Sequence, residues 1–239
     1  MEDILKHAKA AEPLEACGFL LSNGEYYPAR NISSDPTTSV IWHPDDFIAA
    51  QDKSDLHALV HSHPNGPRVL SSADRYNQVR SGLRWMLVVD NEIYNFPCVP
   101  HLVGRKFEHG KQDCYTLSRD VYTLSGIEFP DFFRADDWWD HGENLYLEHL
   151  PTLGFYVIDD NPQLGDVIMI SLGSDTANHS AIYLGDGKIL HHCADRLSKV
   201  DLYGGYFQRH THSIWRYKAW QSLDFMAIYN DLDASSSYT

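Results

Sequence analysis

The chain has 239 residues, of which 43% are hydrophobic and 22% are charged, a balance typical of soluble globular proteins with one or two domains. Its 33 acidic and 19 basic residues give a net charge of −14, which argues against binding to nucleic acid because that requires a basic surface. The sequence contains no run of about 18 apolar residues, which is the length that would predict a membrane span. The opening run MEDILK lacks the apolar core of a signal peptide, so we expect synthesis in a cytosol.

The first half of the chain alternates helical and strand patterns, which predicts an α/β domain. Helices are predicted near residues 4–11, 44–53 and 71–81, and strands near 17–22, 57–63, 84–90 and 92–96. Asn23-Gly24 is a hairpin turn signal after the first strand. Ser71 or Ser72 is a possible N-cap of the third helix.

The second half starts again with a helix and continues with strands, an order that predicts an α+β domain. The helix is predicted near residues 114–124 and the strands near 166–170, 180–184, 188–192 and 213–217. An aromatic and acidic stretch lies between them. Residues 98–105 contain Pro and Gly, so we predict a linker there between domains at 1–97 and 106–239.

A cluster of metal-ligating residue types lies in the first predicted domain. His61 and His63 are two positions apart at the end of a predicted strand and therefore share a face. Asp74 follows early in the next helix, and three N/O ligands with one open position are the layout of a catalytic zinc site. Glu15 is the candidate base for a zinc-activated water, and Ser71 is a candidate donor to the oxyanion. A His-x-His pair alone is more often an ordinary pair of histidines, but the full set favours a metal site.

The run HSHP, followed after six residues by SSAD and preceded by Glu15, resembles the motif of the JAMM metallopeptidases. The resemblance covers about residues 1–97 and implies an α/β domain of the cytidine-deaminase-like type. It implies zinc held by His61, His63 and Asp74, with Glu15 as general acid/base and Ser71 at the oxyanion. The implied reaction is hydrolysis of a peptide or isopeptide bond.

A second cluster, in the other predicted domain, has the residue types of a thiol hydrolase. Cys114 opens an apolar-periodic helix, which places its sulfur at the positive end of the helix dipole. His179 and His191 lie on two strands joined by a tight turn, so they can come side by side. One histidine can then take the thiol proton while the other orients it. His192 would face the opposite way and is expected to be structural.

The segments HGKQDC, GDV and HSAIYLGDGKILH are similar to those of the NlpC-type cysteine peptidases over about residues 100–218. The resemblance implies an α+β papain-like domain with Cys114 as nucleophile, His179 as base and His191 as orienting residue. It implies cleavage of peptidoglycan stem peptides. Phe107 departs from the family pattern, because relatives often carry there a Tyr whose hydroxyl faces the oxyanion, and this predicts lower activity.

The order of the two domains is similar to that of tail assembly proteins of lambda-like bacteriophages. This resemblance implies synthesis in the host cytoplasm, a place at the virion tail tip, contact with other tail-tip proteins, and local opening of the cell wall. Two alternatives stay open. One is a structural tail-tip assembly factor with weak or no catalysis, and the other is a host cytosolic hydrolase of wall fragments or isopeptides.

Overall fold

The computed structural model describes residues 1–237, which divide into two units, Met1–Val99 and Pro100–Ser237. Positions 238 and 239, the end of the second predicted domain, lie outside the described residues. Of the predicted linker, residues 98 and 99 belong to the first unit and residues 100–105 to the second. Within residues 1–237 no helix combines the length and the apolar composition that a bilayer crossing needs.

The first unit is a five-stranded mixed sheet with three helices. Its elements are α1 (Glu2–Ala11), β1 (Cys17–Leu21), β2 (Tyr26–Ala29), α2 (Pro44–Gln51), β3 (Leu56–Ser62), α3 (Ser72–Ser81), β4 (Arg84–Val89) and β5 (Glu92–Phe96). The strand order is β2-β1-β3-β4-β5, and only β3 and β4 are parallel. Helix α3 is the crossover between these two parallel strands, as expected for a βαβ unit.

The apolar packing of one face of β3 determines the side of the sheet on which His61 lies. Ala58 and Val60 pack with Ile4 of α1 in a buried cluster. Because successive side chains of a strand alternate between faces, His61 lies on the opposite side of the sheet. The apolar cluster therefore packs on one face of β3, and His61 lies on the other face.

The second unit has an antiparallel six-stranded sheet with the order β10-β9-β8-β7-β11-β6. Its elements are α4 (Cys114–Leu124), α5 (Leu145–Thr152), β6 (Phe155–Ile158), β7 (Val167–Ile170), β8 (His179–Gly185), β9 (Lys188–His191), β10 (Lys199–Leu202), α6 (Gly205–Arg209), β11 (Thr211–Tyr217) and α7 (Met226–Ser237). Helix α4 lies against β8 and β9. The Ser118 and Ser180 hydroxyls, 3.0 Å apart, join α4 to β8.

The β8–β9 hairpin sets the relation between the two predicted site histidines. Ala181 of β8 pairs with His191 of β9. His179 lies two residues before Ala181, so His179 and His191 are diagonal neighbours on one face of the sheet. The turn between the strands places Asp186 and Gly187 at positive φ, 49° and 65°, where Gly is favoured and Asp is tolerated.

Candidate active sites

The three predicted zinc ligands converge at one end of the first sheet. Nε2 of His61 lies 3.0 Å from Nε2 of His63. Oδ2 of Asp74 lies 3.5 Å from the His61 nitrogen and 3.4 Å from the His63 nitrogen. His61 is in β3, His63 follows that strand directly, and Asp74 is in the first turn of α3. The parallel crossover thus brings the three donors together.

These donor atoms fit a zinc ion in chemistry and in spacing. Zinc binds imidazole nitrogen and carboxylate oxygen at about 2.0–2.2 Å, so two ligands of a tetrahedral ion are about 3.3 Å apart. The separations of 3.0, 3.5 and 3.4 Å match this value closely. Nδ1 of His63 bonds the carbonyl of Pro67 at 3.1 Å, which orients the ring and leaves Nε2 as the metal-facing nitrogen. Nδ1 of His61 is buried and has no hydrogen-bond partner among the described residues.

The electrostatics of this cluster favour an ionised carboxylate. Burial by itself raises the pKa of Asp74, but the adjacent His61 and His63 outweigh it and hold the pKa well below its ordinary value. A carboxylate that stays charged is the form that ligates a cation. Asp74 is therefore suited to the role that the motif resemblance implies.

Glu15 lines the same cavity as His63 and Asp74. The cavity has a volume of about 380 Å³, and its lining includes Glu15, His63, Ser71 and Asp74. Burial raises the pKa of Glu15 above its ordinary value, and the charge of Asp74 acts in the same direction, although the two histidines oppose them. A raised pKa suits a carboxyl group that accepts and returns a proton near neutral pH.

Ser71 is engaged mainly with Asp74. The Ser71 hydroxyl donates to Oδ2 of Asp74 at 2.7 Å, and the Ser71 backbone N–H donates to the same oxygen at 2.9 Å. The Asp74 backbone N–H donates back to the Ser71 hydroxyl at 3.2 Å, which completes a capping box at the start of α3. The sequence-predicted cap is thus present, and it also holds a metal-ligand candidate in place. The oxyanion role of Ser71 stays a prediction.

In the second unit, Cys114 is the first residue of α4 and Asp113 is the N-cap. Oδ1 of Asp113 accepts from the Thr116 backbone N–H at 2.9 Å. Oδ2 of Asp113 accepts from Nε of the buried Arg134 at 3.0 Å and from the Gly110 backbone N–H at 2.9 Å. The cap therefore fixes the start of the helix, where the first backbone N–H groups have no helical partner.

The Cys114 thiol is 5% exposed and contacts the hydroxyl of Tyr146, with 3.3 Å between sulfur and oxygen. Burial, followed by the charge of Asp113, raises the pKa of the thiol, and the hydrogen bond with Tyr146 acts in the opposite direction. The Ser180 hydroxyl donates to the Cys114 carbonyl at 2.9 Å. The sulfur is thus held as a neutral thiol that needs a base before it can attack.

A chain of hydrogen bonds runs through the two predicted histidines. Nε2 of His179 lies 3.2 Å from Nδ1 of His191, and Nε2 of His191 lies 3.0 Å from Oδ2 of Asp201. Burial opposes the charge on Asp201, but hydrogen bonds from Lys199 and His191 outweigh it and lower the pKa. An ionised Asp201 accepts the proton of His191 Nε2, so Nδ1 of His191 accepts from His179. Nδ1 of His179 is then the nitrogen left to take a proton.

Cys114 and His179 line one cavity with a volume of about 180 Å³. Among residues 1–237 no hydrogen bond joins the thiol to His179, and Tyr146 is the contact of the sulfur instead. Phe107 also lines the cavity, with its ring edge-on to His192 at 5.2 Å. Tyr146 therefore provides a hydroxyl beside the sulfur, where Phe107 has none. His192, expected to be only structural, is part of the lining as well.

Two residues of this site were not predicted from the sequence. Tyr146 lies in α5, in the aromatic stretch that gave no helix signal. Asp201 lies in the four-residue strand β10, which was not predicted from the sequence. No sequence signal indicated Asp201, because its place beside His191 depends on the pairing of β10 with β9.

Comparison with known proteins identifies both halves. Residues 1–99 match the family described as prokaryotic homologs of the JAB domain, and residues 104–216 match the NlpC/P60 family. An NLP/P60-family protein of Staphylococcus aureus, similar to a lipoprotein, has 24% identity, covers 48% of this chain and 37% of its own, and has a TM-score of 0.34. The two family matches confirm the predicted fold class of a JAMM-type domain followed by an NlpC-type domain.

Two curated proteins match nearly the whole of their own length. The tail tip assembly protein K of Escherichia phage lambda is 52% identical over 196 residues, which is 82% of this chain and 98% of that protein. The tail tip assembly protein K of Escherichia phage N15 is 33% identical over 228 residues, which is 91% of this chain and 94% of that protein. The chain therefore belongs to the family of phage tail tip assembly protein K, and within it a JAB-like domain precedes an NlpC/P60 domain.

Proposed function

We propose that this chain is a tail-tip hydrolase that cuts peptidoglycan stem peptides at Cys114 and cuts a second peptide or isopeptide bond at a zinc site. The observation that carries the proposal is the relay from His179 through His191 to Asp201, which begins in the cavity that Cys114, the first residue of α4, also lines. The NlpC/P60 match supports peptidase chemistry in this unit.

The thiol site has the parts of a nucleophilic hydrolase. Nδ1 of His179 takes the Cys114 proton, and the thiolate attacks the carbonyl carbon of the stem peptide. The N–H of Cys114, at the start of α4, stabilises the oxyanion, and the Tyr146 hydroxyl contacts the attacking sulfur. His179 then protonates the leaving amine, and the same residue deprotonates the water that hydrolyses the thioester. His191 and Asp201 keep His179 in the tautomer that these transfers require.

The first unit provides a separate set of groups. His61, His63 and Asp74 are the residues that would hold zinc, which would supply Lewis-acid activation of water and of a scissile carbonyl. Glu15, with its raised pKa, would accept a proton from the water and deliver it to the leaving amine. Ser71 would fix Asp74 through the capping box and face the same cavity.

The relatives support a site of action at the tail tip. Both curated proteins are named for assembly of the tail tip, which supports partners among other tail-tip proteins and a place in the virion after synthesis in the host cytoplasm. The net charge of −14 fits a partner with a basic surface. A tail tip would bring a wall-degrading enzyme to the peptidoglycan from outside.

The test is digestion of purified diaminopimelate-type sacculi, with released muropeptides identified by mass spectrometry. We expect Cys114→Ala to abolish release, and we expect Cys98→Ala, at a half-buried cysteine of the first unit, to retain it. Matching melting temperatures would show that both variants are folded. Equal release by wild type and Cys114→Ala would overturn the thiol assignment. If folded wild type releases nothing, the alternative of a structural assembly factor gains support.

A further inference from the structure

A third potential ligand lies beside the two histidines of the thiol site. Sγ of Cys193 is 3.4 Å from Nδ1 of His191, and Nε2 of His179 is 3.2 Å from that same nitrogen. All three donor atoms lie within 4.8 Å of one another. Cys193 is a free, half-buried cysteine just beyond β9 and has no part in the proposed relay.

The cluster has the ligand chemistry of a zinc-class cation. Zinc binds imidazole nitrogen at about 2.0–2.1 Å and thiolate sulfur at about 2.3 Å, so tetrahedral geometry separates two nitrogens by about 3.3 Å and nitrogen from sulfur by about 3.6 Å. The distances of 3.2 and 3.4 Å are close to these values. One sulfur and two nitrogens also prefer a softer ion than the all-N/O set of the first unit.

The surroundings prepare His191 as a ligand. Asp201 accepts from Nε2 of His191 at 3.0 Å, which leaves the Nδ1 lone pair directed toward His179 and Cys193. A carboxylate behind a ligating imidazole is a recurrent feature of metal sites, because it fixes the tautomer and raises the basicity of the ligand. The contact that serves the relay therefore also serves coordination.

We propose that His179, His191 and Cys193 form a second zinc-class site whose occupation silences the Cys114 thiol. Binding forms two N–metal bonds and one S–metal bond, and the Cys193 thiol releases one proton. Nε2 of His179 becomes a ligand, so the His179 proton moves to Nδ1. That nitrogen can then no longer accept the proton of Cys114. The binding claim stands on the cluster alone, whereas the silencing claim rests on the proposed function.

Cobalt(II) separates this site from the one in the first unit, because only a thiolate ligand gives sulfur-to-cobalt charge-transfer absorption. The full-length chain, freed of metal by chelation, would be titrated with Co²⁺ as wild type, Cys193→Ser and the matched control Cys98→Ser. We expect the absorption in wild type and Cys98→Ser and its loss in Cys193→Ser. A wild type without the absorption, or a Cys193→Ser variant that keeps it, overturns the site.

The second arm measures muropeptide release with added Zn²⁺. We expect the zinc concentration for half inhibition to rise at least about tenfold in Cys193→Ser, since one of three ligands is lost. Equal inhibition of wild type and variant, with the cobalt absorption present, overturns silencing but leaves the site. Absence of release from every form without zinc is a failure of the proposed function, and the cobalt spectrum still decides whether the metal binds.

Discussion

The two candidate active sites are assembled from the chain in different ways. In the first unit, His61, His63 and Asp74 lie within fourteen consecutive positions, and one parallel crossover brings their donor atoms to 3.0–3.5 Å. In the second unit, Cys114, His179 and Asp201 come from a helix and two separate strands. In the proposed function, the first site is a set of converging metal ligands, whereas the second is a row of hydrogen-bonded residues that carries a proton. A compact motif is therefore sufficient to predict the first, but the second depends on strand pairing.

The largest expected effect separates the sites by metal content. His61→Ala removes one of three ligands, so bound zinc should fall from about one equivalent to near zero. The measurement is plasma mass spectrometry of protein purified in a Cys193→Ser background, which keeps the second cluster out of the count. His57→Ala, an exposed histidine of the same strand, is the matched control and should keep its zinc. A full equivalent in the His61→Ala protein would rule out this ligand set.

A smaller effect tests whether the thiol site is a line of proton carriers. Asp201→Asn removes the charge that fixes the His191 tautomer, so we expect kcat for muropeptide release to fall about 10- to 100-fold with KM little changed. The loss should be less than the roughly 10⁴-fold seen when the carboxylate of a Ser-His-Asp triad is changed, because His191 stands between Asp201 and the base. Asp186→Asn, in the exposed hairpin turn, should leave kcat unchanged.

Partial recovery of kcat in Asp201→Glu would show that the Asp201 carboxylate positions His191 and is not only a structural group. Equal kcat in wild type and Asp201→Asn would mean that the second site works without its terminal carboxylate. Asp201 would then not belong to the proton relay, and the proposed difference between the two sites would lose that residue.

The smallest expected effect concerns Tyr146. Tyr146→Phe removes one hydrogen bond of about 1 kcal/mol, so we expect kcat to fall about fivefold. The Tyr146 hydrogen bond lowers the pKa of Cys114 against the larger effects of burial and Asp113, so its loss should raise that pKa further.

The same variant gives a pH test. Because the pKa of Cys114 is raised, its alkylation by iodoacetamide should still accelerate above the ordinary thiol value of about 8.5. In Tyr146→Phe the curve should move to higher pH, and in Tyr156→Phe, at an exposed tyrosine, it should not move. Mass spectrometry of the Cys114 peptide gives the rate. A shift to lower pH in Tyr146→Phe would contradict the contact.

The sequence was sufficient for elements with strong local patterns. Helix α4 begins at Cys114 and ends at Leu124, as its apolar spacing predicts, and Ser71 caps α3. The short strands β2, β6 and β10 and the helix α6 were missed, because segments of four or five residues carry little periodicity. Helix α5 was missed because it lies in a stretch rich in aromatic and acidic residues, and the twelve-residue α7 was missed as well. Tyr146 and Asp201 lie in two of these missed elements, α5 and β10. Their contacts with Cys114 and His191 form only after the chain has folded, so no local pattern indicated them.

The most direct test of two independent sites is a crossed measurement on Cys114→Ala and His61→Ala, both in a Cys193→Ser background, each assayed for muropeptide release from sacculi and for zinc content. We predict that Cys114→Ala loses release and keeps the zinc of the first unit, and that His61→Ala loses this zinc and keeps release. Loss of both properties in either folded variant would contradict the account, because the two sites would then depend on each other.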